Sequence, residues 1–208
     1  MAYPTVSAPY GLKPINRVDG MPYAGAIRQI PIASTYNTAI YNGDIVRIAA
    51  GGTIEKSTVT TDSTTAAANN TYGVFVGVQY VNTQSQTVQA QYYPGNAAAT
   101  SAVAYVVDDP MAAFKVAVTF SGNATVTTVN QSIVGTNASV RQGTGSATTG
   151  DSAVSVYATN AQGNAAALPV RVIGVVPETA TGTNAFTEVV VKFNNPQILG
   201  TTGLNYTA

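Results

Sequence analysis

The chain has 208 residues with 9 basic and 9 acidic side chains and no His, Cys or Trp. Only 9% of it is charged, against roughly 25% in an average soluble domain. These absences exclude imidazole and thiolate zinc sites, disulfides, Cys nucleophiles and Ser-His-Asp triads. Zero net charge also lacks the footprint of a nucleic-acid binder.

Residues 1–25 carry Pro4, Pro9, Pro14 and Pro22 with Gly11, Gly20 and Gly25, a spacing that forbids a helix and predicts an extended N-terminal arm. Its Tyr3, Tyr10, Leu12, Ile15, Met21 and Tyr23 need a surface to rest on, either the chain's own domain or a neighbouring subunit. The first residues show no basic stretch followed by an apolar one, so no secretory signal is expected. No apolar run approaches the roughly 20 residues of a membrane helix, so no membrane partner is expected.

From residue 26 the pattern is β. Residues 26–32 alternate, and 39–48 carry Asn42-Gly43 between two apolar runs, which predicts a type I′ hairpin. Gly51-Gly52 marks a turn before residues 53–56, and the Thr-, Ser-, Ala- and Asn-rich stretch 57–72 reads as a surface loop. Strands are predicted over 73–81, 86–93, 101–107, 112–120, 124–129, 153–158, 168–176 and 186–193. Short strands at this spacing predict an all-β antiparallel sandwich or barrel. The organisation expected is an arm over 1–25 and a β core over 26–120. A Gly/Ala/Thr-rich insertion or small second subdomain over 121–166 and closing strands with a tail over 167–208 complete it.

The chemical motifs are weak. The run Gly145 to Ser152 has P-loop spacing, but Asp151 stands where the lysine would be and would repel phosphate. Asp108-Asp109-Pro110 is a paired carboxylate that reads better as a turn than as an acid/base couple. Asn-x-Ser/Thr triplets at Asn69, Asn123, Asn130, Asn137 and Asn205 are expected by chance in so Asn- and Thr-rich a chain. Tyr92-Tyr93 is the most site-like aromatic pair, although neighbours in a strand face opposite ways. No catalytic, cofactor-binding or metal-binding residue is expected, and the chain reads as a non-enzyme.

Several stretches carry a resemblance. They are Ala8-Pro-Tyr-Gly-Leu-Lys-Pro14, Ile30-Pro-Ile-Ala33 and Tyr36-Asn-Thr-Ala-Ile-Tyr-Asn-Gly-Asp-Ile-Val46. Val106-Val-Asp-Asp-Pro110, Leu168-Pro-Val-Arg-Val-Ile-Gly174 and Val189-Val-Val-Lys-Phe-Asn194 join them. Together they resemble structural proteins of tailed bacteriophages, in particular capsid decoration, or cement, proteins. The resemblance implies a homo-oligomer, a trimer before a dimer, made in the host cytoplasm and bound to the major capsid protein on the head exterior. The candidate capsid or subunit interface is Tyr3, Tyr10, Leu12, Arg17, Met21, Tyr23 and Arg28, with the two arginines pairing with capsid carboxylates. Deleting residues 1–20 is then expected to leave a folded chain that no longer binds capsids. The alternatives are a receptor- or glycan-binding fibre component, a head–tail connector or tail ring protein, and an acid-pair polysaccharide hydrolase.

Overall fold

A computed structural model describes residues 6–22, 25–58, 70–96, 99–120, 124–125, 129–157, 168–180, 186–194 and 196–199. Among these, the chain is built from strands and a few single 3₁₀ turns. The strands are β1 (Lys13–Arg17), β2 (Ile27–Pro31), β3 (Ile45–Ile48), β4 (Ile54–Lys56), β5 (Gly73–Val81), β6 (Thr87–Ala90) and β7 (Thr100–Val107). Then come β8 (Ala112–Phe120), β9 (Ala124–Thr125), β10 (Asn137–Arg141), β11 (Ser155–Tyr157), β12 (Val170–Val175) and β13 (Glu188–Phe193).

They form two sheets. The first runs β2-β7-β5-β3-β4, with β6 added to β5. A single parallel bridge between Ile32 and Ile54 brings the residue after β2 back to β4 and closes the sheet on itself. The second runs β8-β11-β10-β12-β13 and returns from β13 to β8, a five-stranded barrel; β1 and β9 also pair with β8. All pairings within it are antiparallel except β8 with β11. The all-β class expected from the strand spacing is therefore found, and of the sandwich or barrel alternatives the second sheet takes the barrel.

Apart from β1, which joins the second sheet, the two sheets divide the chain between β7 and β8, at Asp108 to Met111. The boundary expected at residue 120 is displaced, because β8 is the strand on which the second barrel closes. Within residues 121–166, expected to be an insertion or a small second subdomain, the described β10 and β11 are staves of that barrel.

Each barrel has its own core. Ile30, Ile40, Val46, Ile54, Phe75, Val78, Tyr93 and Val106 fill the first. Phe114, Val116, Val118, Val140, Val156, Val172, Val189 and Val191 fill the second. Three strands of the first sheet serve both. Ile45, Val74 and Val107 face the second core, while Val46, Phe75 and Val106, their immediate neighbours, face the first. Adjacent strand residues point to opposite faces, so a strand buried on both sides reads as an apolar doublet and loses its alternation. A bulge between Phe75 and Gly77 shifts the register, so that Phe75 and Val78 both enter the first core.

The predicted hairpin at Asn42-Gly43 is not made. Ile40 pairs with Tyr93 and Asn42 with Asp151, so the segment before the turn leaves β3 for other partners. Gly43 takes the left-handed conformation at φ +94°, and Asn42 does not. With Asp44 N donating to Tyr41 O at 2.9 Å, this is the pattern of a type II turn, which needs glycine only at its third position. Gly43 also lies against Gly11: a Cβ on Gly43 would meet Gly11 Cα at 2.9 Å. That close approach seats the N-terminal segment, with Leu12 N donating to Gly43 O at 3.0 Å.

Candidate functional site

Residues 6–22 lie on the second barrel and its junction with the first. Leu12 is fully buried among the residues of the second core. Lys13–Arg17 then runs antiparallel to β8, with an irregularity between Pro14 and Asn16 that accommodates the proline at the sheet edge. After β1 the chain turns back: Arg17 N donates to Met21 O and Asn16 pairs with Pro22. Val18 N donates to Met111 O at 2.8 Å, which places this turn beside the β7–β8 connection.

Here the surface is unusually apolar. Among the described residues eight large hydrophobics are exposed, and Ile15, Val18, Met21, Ile27 and Met111 all belong to this end of the molecule. Met21 is 60% exposed. An apolar strip of this kind, rimmed by charge, marks a surface for another macromolecule. The rim is self-paired. Arg17 contacts Asp19 at 3.1 Å and Asp109 at 3.5 Å, and Arg28 Nε lies 2.7 Å from Asp108. Asp109 Oδ1 also accepts from Met111 N at 2.8 Å, so Asp108-Asp109-Pro110 does form a turn.

The seven expected interface residues therefore separate. Met21 belongs to the exposed strip. Leu12 does not, since burial in its own core leaves it nothing to offer a partner. Tyr10 is half-buried, its hydroxyl donates to Glu188, and the Lys115 ammonium lies 5.8 Å from its ring centre. Arg17 and Arg28 reach the strip but hold carboxylates of their own chain instead of waiting for capsid ones. Tyr3 and Tyr23 lie outside the described residues. Ile15 is one of the arm residues expected to need a surface, whereas Val18, Ile27 and Met111 carry no interface signal in the sequence, since only the fold brings residue 111 beside residue 18.

A second feature is a cleft of about 640 Å³ between Val6–Tyr10 and the loop from Thr144 to Ala153. Hydroxyls of Ser7, Thr144, Ser146, Thr149 and Ser152 and the Asp151 carboxylate line it. Tyr92 and Tyr93 do face opposite ways. Tyr93 is buried and donates to Tyr36 O, while Tyr92 stacks on Tyr41 with centroids 5.5 Å apart. Among the described residues no three acidic side chains come together as a metal site.

Burial raises several phenols. It pushes Tyr72 up to about 12, helped by the hydrogen bond to Asp108 at 2.8 Å and by that carboxylate's charge, against the pull of Arg28. Tyr10 is raised by burial and then by Glu188, and burial also raises Tyr36 and Tyr93. A folded-state value above the unfolded one, near 10, favours the folded chain only while the phenol keeps its proton. The Tyr72 contribution is thus complete below about pH 10 and is lost as pH rises through about 12. Tyr72→Phe, which has no proton to lose, is expected to flatten part of the stability decline across that window, measured as urea midpoints against pH.

Compared with protein-family models, curated proteins and solved structures, the chain finds no match.

Proposed function

We propose that this protein is a non-enzymatic structural component of a tailed-phage virion, a decoration protein that binds the major capsid protein on the head exterior. The observation that carries the reading is the apolar strip of Val18, Met21 and Met111, with Ile15 and Ile27 nearby. It is presented by a β framework in a chain of only 9% charged residues that is rich in Thr, Ser, Asn and Gln. Met and other flexible apolar side chains favour interface cores. A surface with little charge suits dense packing beside many identical copies and depends little on ion pairs that salt screens. A homo-oligomer, with a trimer as the first expectation, would bridge several capsomers and gain avidity from contacts that are individually weak.

The test is binding to undecorated expanded capsids, with cryo-EM to locate the bound chain. Density over the whole shell supports decoration; a ring at one vertex moves the protein to the connector. The double variant Val18→Asp, Met21→Asp is expected to change stability by no more than about 0.5 kcal/mol, since both side chains are exposed. Capsid binding should fall roughly thirtyfold or more, the loss of about 2 kcal/mol expected for an interface anchor. Unchanged binding would reject the strip as the contact. The hydroxyl-lined cleft favours one second reading, a glycan-binding fibre component. Saccharide binding that is lost on Asp151→Ala, with no affinity for capsids, would select it.

A further inference from the structure

Three side chains from distant parts of the sequence meet where the N-terminal strand crosses the junction of the barrels. Lys13 comes from β1, Asn42 from the Tyr41–Asp44 turn, and Asp151 from the loop before β11. Lys13 Nζ lies 2.8 Å from Asn42 Oδ1 and 2.7 Å from Asp151 Oδ1. The Asn42 carboxamide is held from behind, its Nδ2 donating to Val76 O at 3.0 Å. Its backbone is clamped on both sides: Asn42 N donates to Gly150 O, and Ser152 N donates to Asn42 O, each at 3.0 Å. Asp151 Oδ1 also accepts from Gln91 Nε2 at 3.3 Å. The lysine and aspartate side chains are about two-thirds covered, 31% and 34% exposed.

An amine held against a carboxamide on one side and a carboxylate on the other has the components of a transamidation. We propose that Lys13 and Asn42 join in an intramolecular isopeptide bond, with Asp151 carrying the proton. The Asp151 carboxylate takes a proton from the Lys13 ammonium. The freed Nζ lone pair attacks Asn42 Cγ, the carbon bonded to the oxygen it already touches. Asp151 returns the proton to Nδ2, the Cγ–Nδ2 bond breaks with its electron pair on nitrogen, and ammonia leaves; the second proton lost by the attacking Nζ passes through Asp151 to that ammonia, giving ammonium and a neutral amide. One C–N bond forms, one breaks, charge is conserved and no oxidant or other reactant is needed. The fold supplies what free amine and amide lack, since holding the two groups in contact replaces a bimolecular encounter by an intramolecular one. The product ties β1, and with it the apolar strip that follows, covalently to the barrel junction. The bond is argued from this geometry alone and stands whether or not the chain coats a capsid.

Intact-mass measurement of the purified full chain tests it. The expected mass is lower than the sequence mass by one ammonia, and a tryptic digest should yield residues 1–17 and 29–47 as one branched species. Asn42-Gly43 can also lose ammonia by closing to a succinimide, but that product leaves the two peptides separate. Full mass after prolonged incubation, or ammonia loss with unlinked peptides, overturns the proposal. Lys13→Arg keeps the charge beside Asp151 and should restore the full mass. Asp151→Asn should slow bond formation by at least about a hundredfold, the scale of a lost general acid–base group. Bond formation at the original rate in Asp151→Asn would remove Asp151 from the mechanism.

Discussion

Asp44→Ala is expected to cost about 3–5 kcal/mol, the range for removing one partner of a buried ion pair. Asp44 is fully buried, and every direction around its carboxylate is occupied. Oδ1 accepts from Ser152 Oγ at 2.6 Å, and Oδ2 accepts from Tyr41 N at 2.9 Å and lies 3.0 Å from Lys56 Nζ. Lys56 is itself only 16% exposed, and its ammonium sits 5.9 Å from the centre of the Tyr41 ring. Removing the carboxylate leaves an ammonium, a hydroxyl and a backbone N–H facing each other without an acceptor. The ammonium dominates, because an uncompensated charge is far costlier to bury than an unpaired hydroxyl. Asp44→Asn should lie between wild type and Asp44→Ala, since its oxygen still accepts but its charge is gone. Lys56→Met with Asp44→Leu should recover part of the loss by removing both charges together. Chemical-denaturation midpoints of the four proteins decide it; a cost below about 1 kcal/mol for Asp44→Ala would mean that water reaches the site.

This cluster shows where reading the chain by local pattern fails. Asp44 follows Asn42-Gly43, and the local chemistry of those residues favours a hairpin in which Asp44 would be a solvated strand residue. Burial on both sides of β3 overrides that preference. The turn delivers Asp44 to the junction, where Ser152, over 100 positions away, completes it. By contrast β5 and β8 have the bounds expected from the sequence, β5 from its run of Val, Phe and Tyr and β8 because Phe114, Val116 and Val118 alternate with Lys115 and Thr119. β10 carries no strand pattern in the sequence, for the opposite reason. Asn137, Ala138, Ser139 and Val140 are all buried, yet Asn and Ser look like loop residues until their partners are in place. For Asn137 one partner is Arg171 on β12, at 2.9 Å. β1 was hidden by Pro14, which an edge strand tolerates and an interior strand does not. The apolar strip was legible only in part. Met21 stands out in the sequence, but pairing it with Val18 and Met111 requires the contact between the first turn and the β7–β8 connection.

Leu12→Ala is expected to cost about 2–5 kcal/mol, and to loosen the N-terminal segment before the rest of the chain unfolds. Leu12 is among the largest side chains with no exposed surface. Its backbone is fixed by the hydrogen bond to Gly43 and by the Gly11–Gly43 contact, so the surroundings have little freedom to collapse into the space left behind. A cavity that cannot relax puts the cost in the upper part of that range. The same burial reverses the expectation that residues 1–20 can be deleted without harm. That deletion removes Leu12 from the core, uncovers the edge of β8 that Lys13–Arg17 pairs with, and strips Lys13 from Asp151. Loss of capsid binding in such a truncation would follow from unfolding alone and would say nothing about contact. The segment has two separable duties, with Leu12 anchoring it inward and Val18 and Met21 facing outward. Leu12→Ala should lower the denaturation midpoint while any capsid binding persists in the folded fraction. The Asp variants of Val18 and Met21 should leave the midpoint in place and, on the proposed reading, weaken capsid binding roughly thirtyfold or more. A Leu12→Ala midpoint within about 0.5 kcal/mol of wild type would show that this side chain does not anchor the segment in solution.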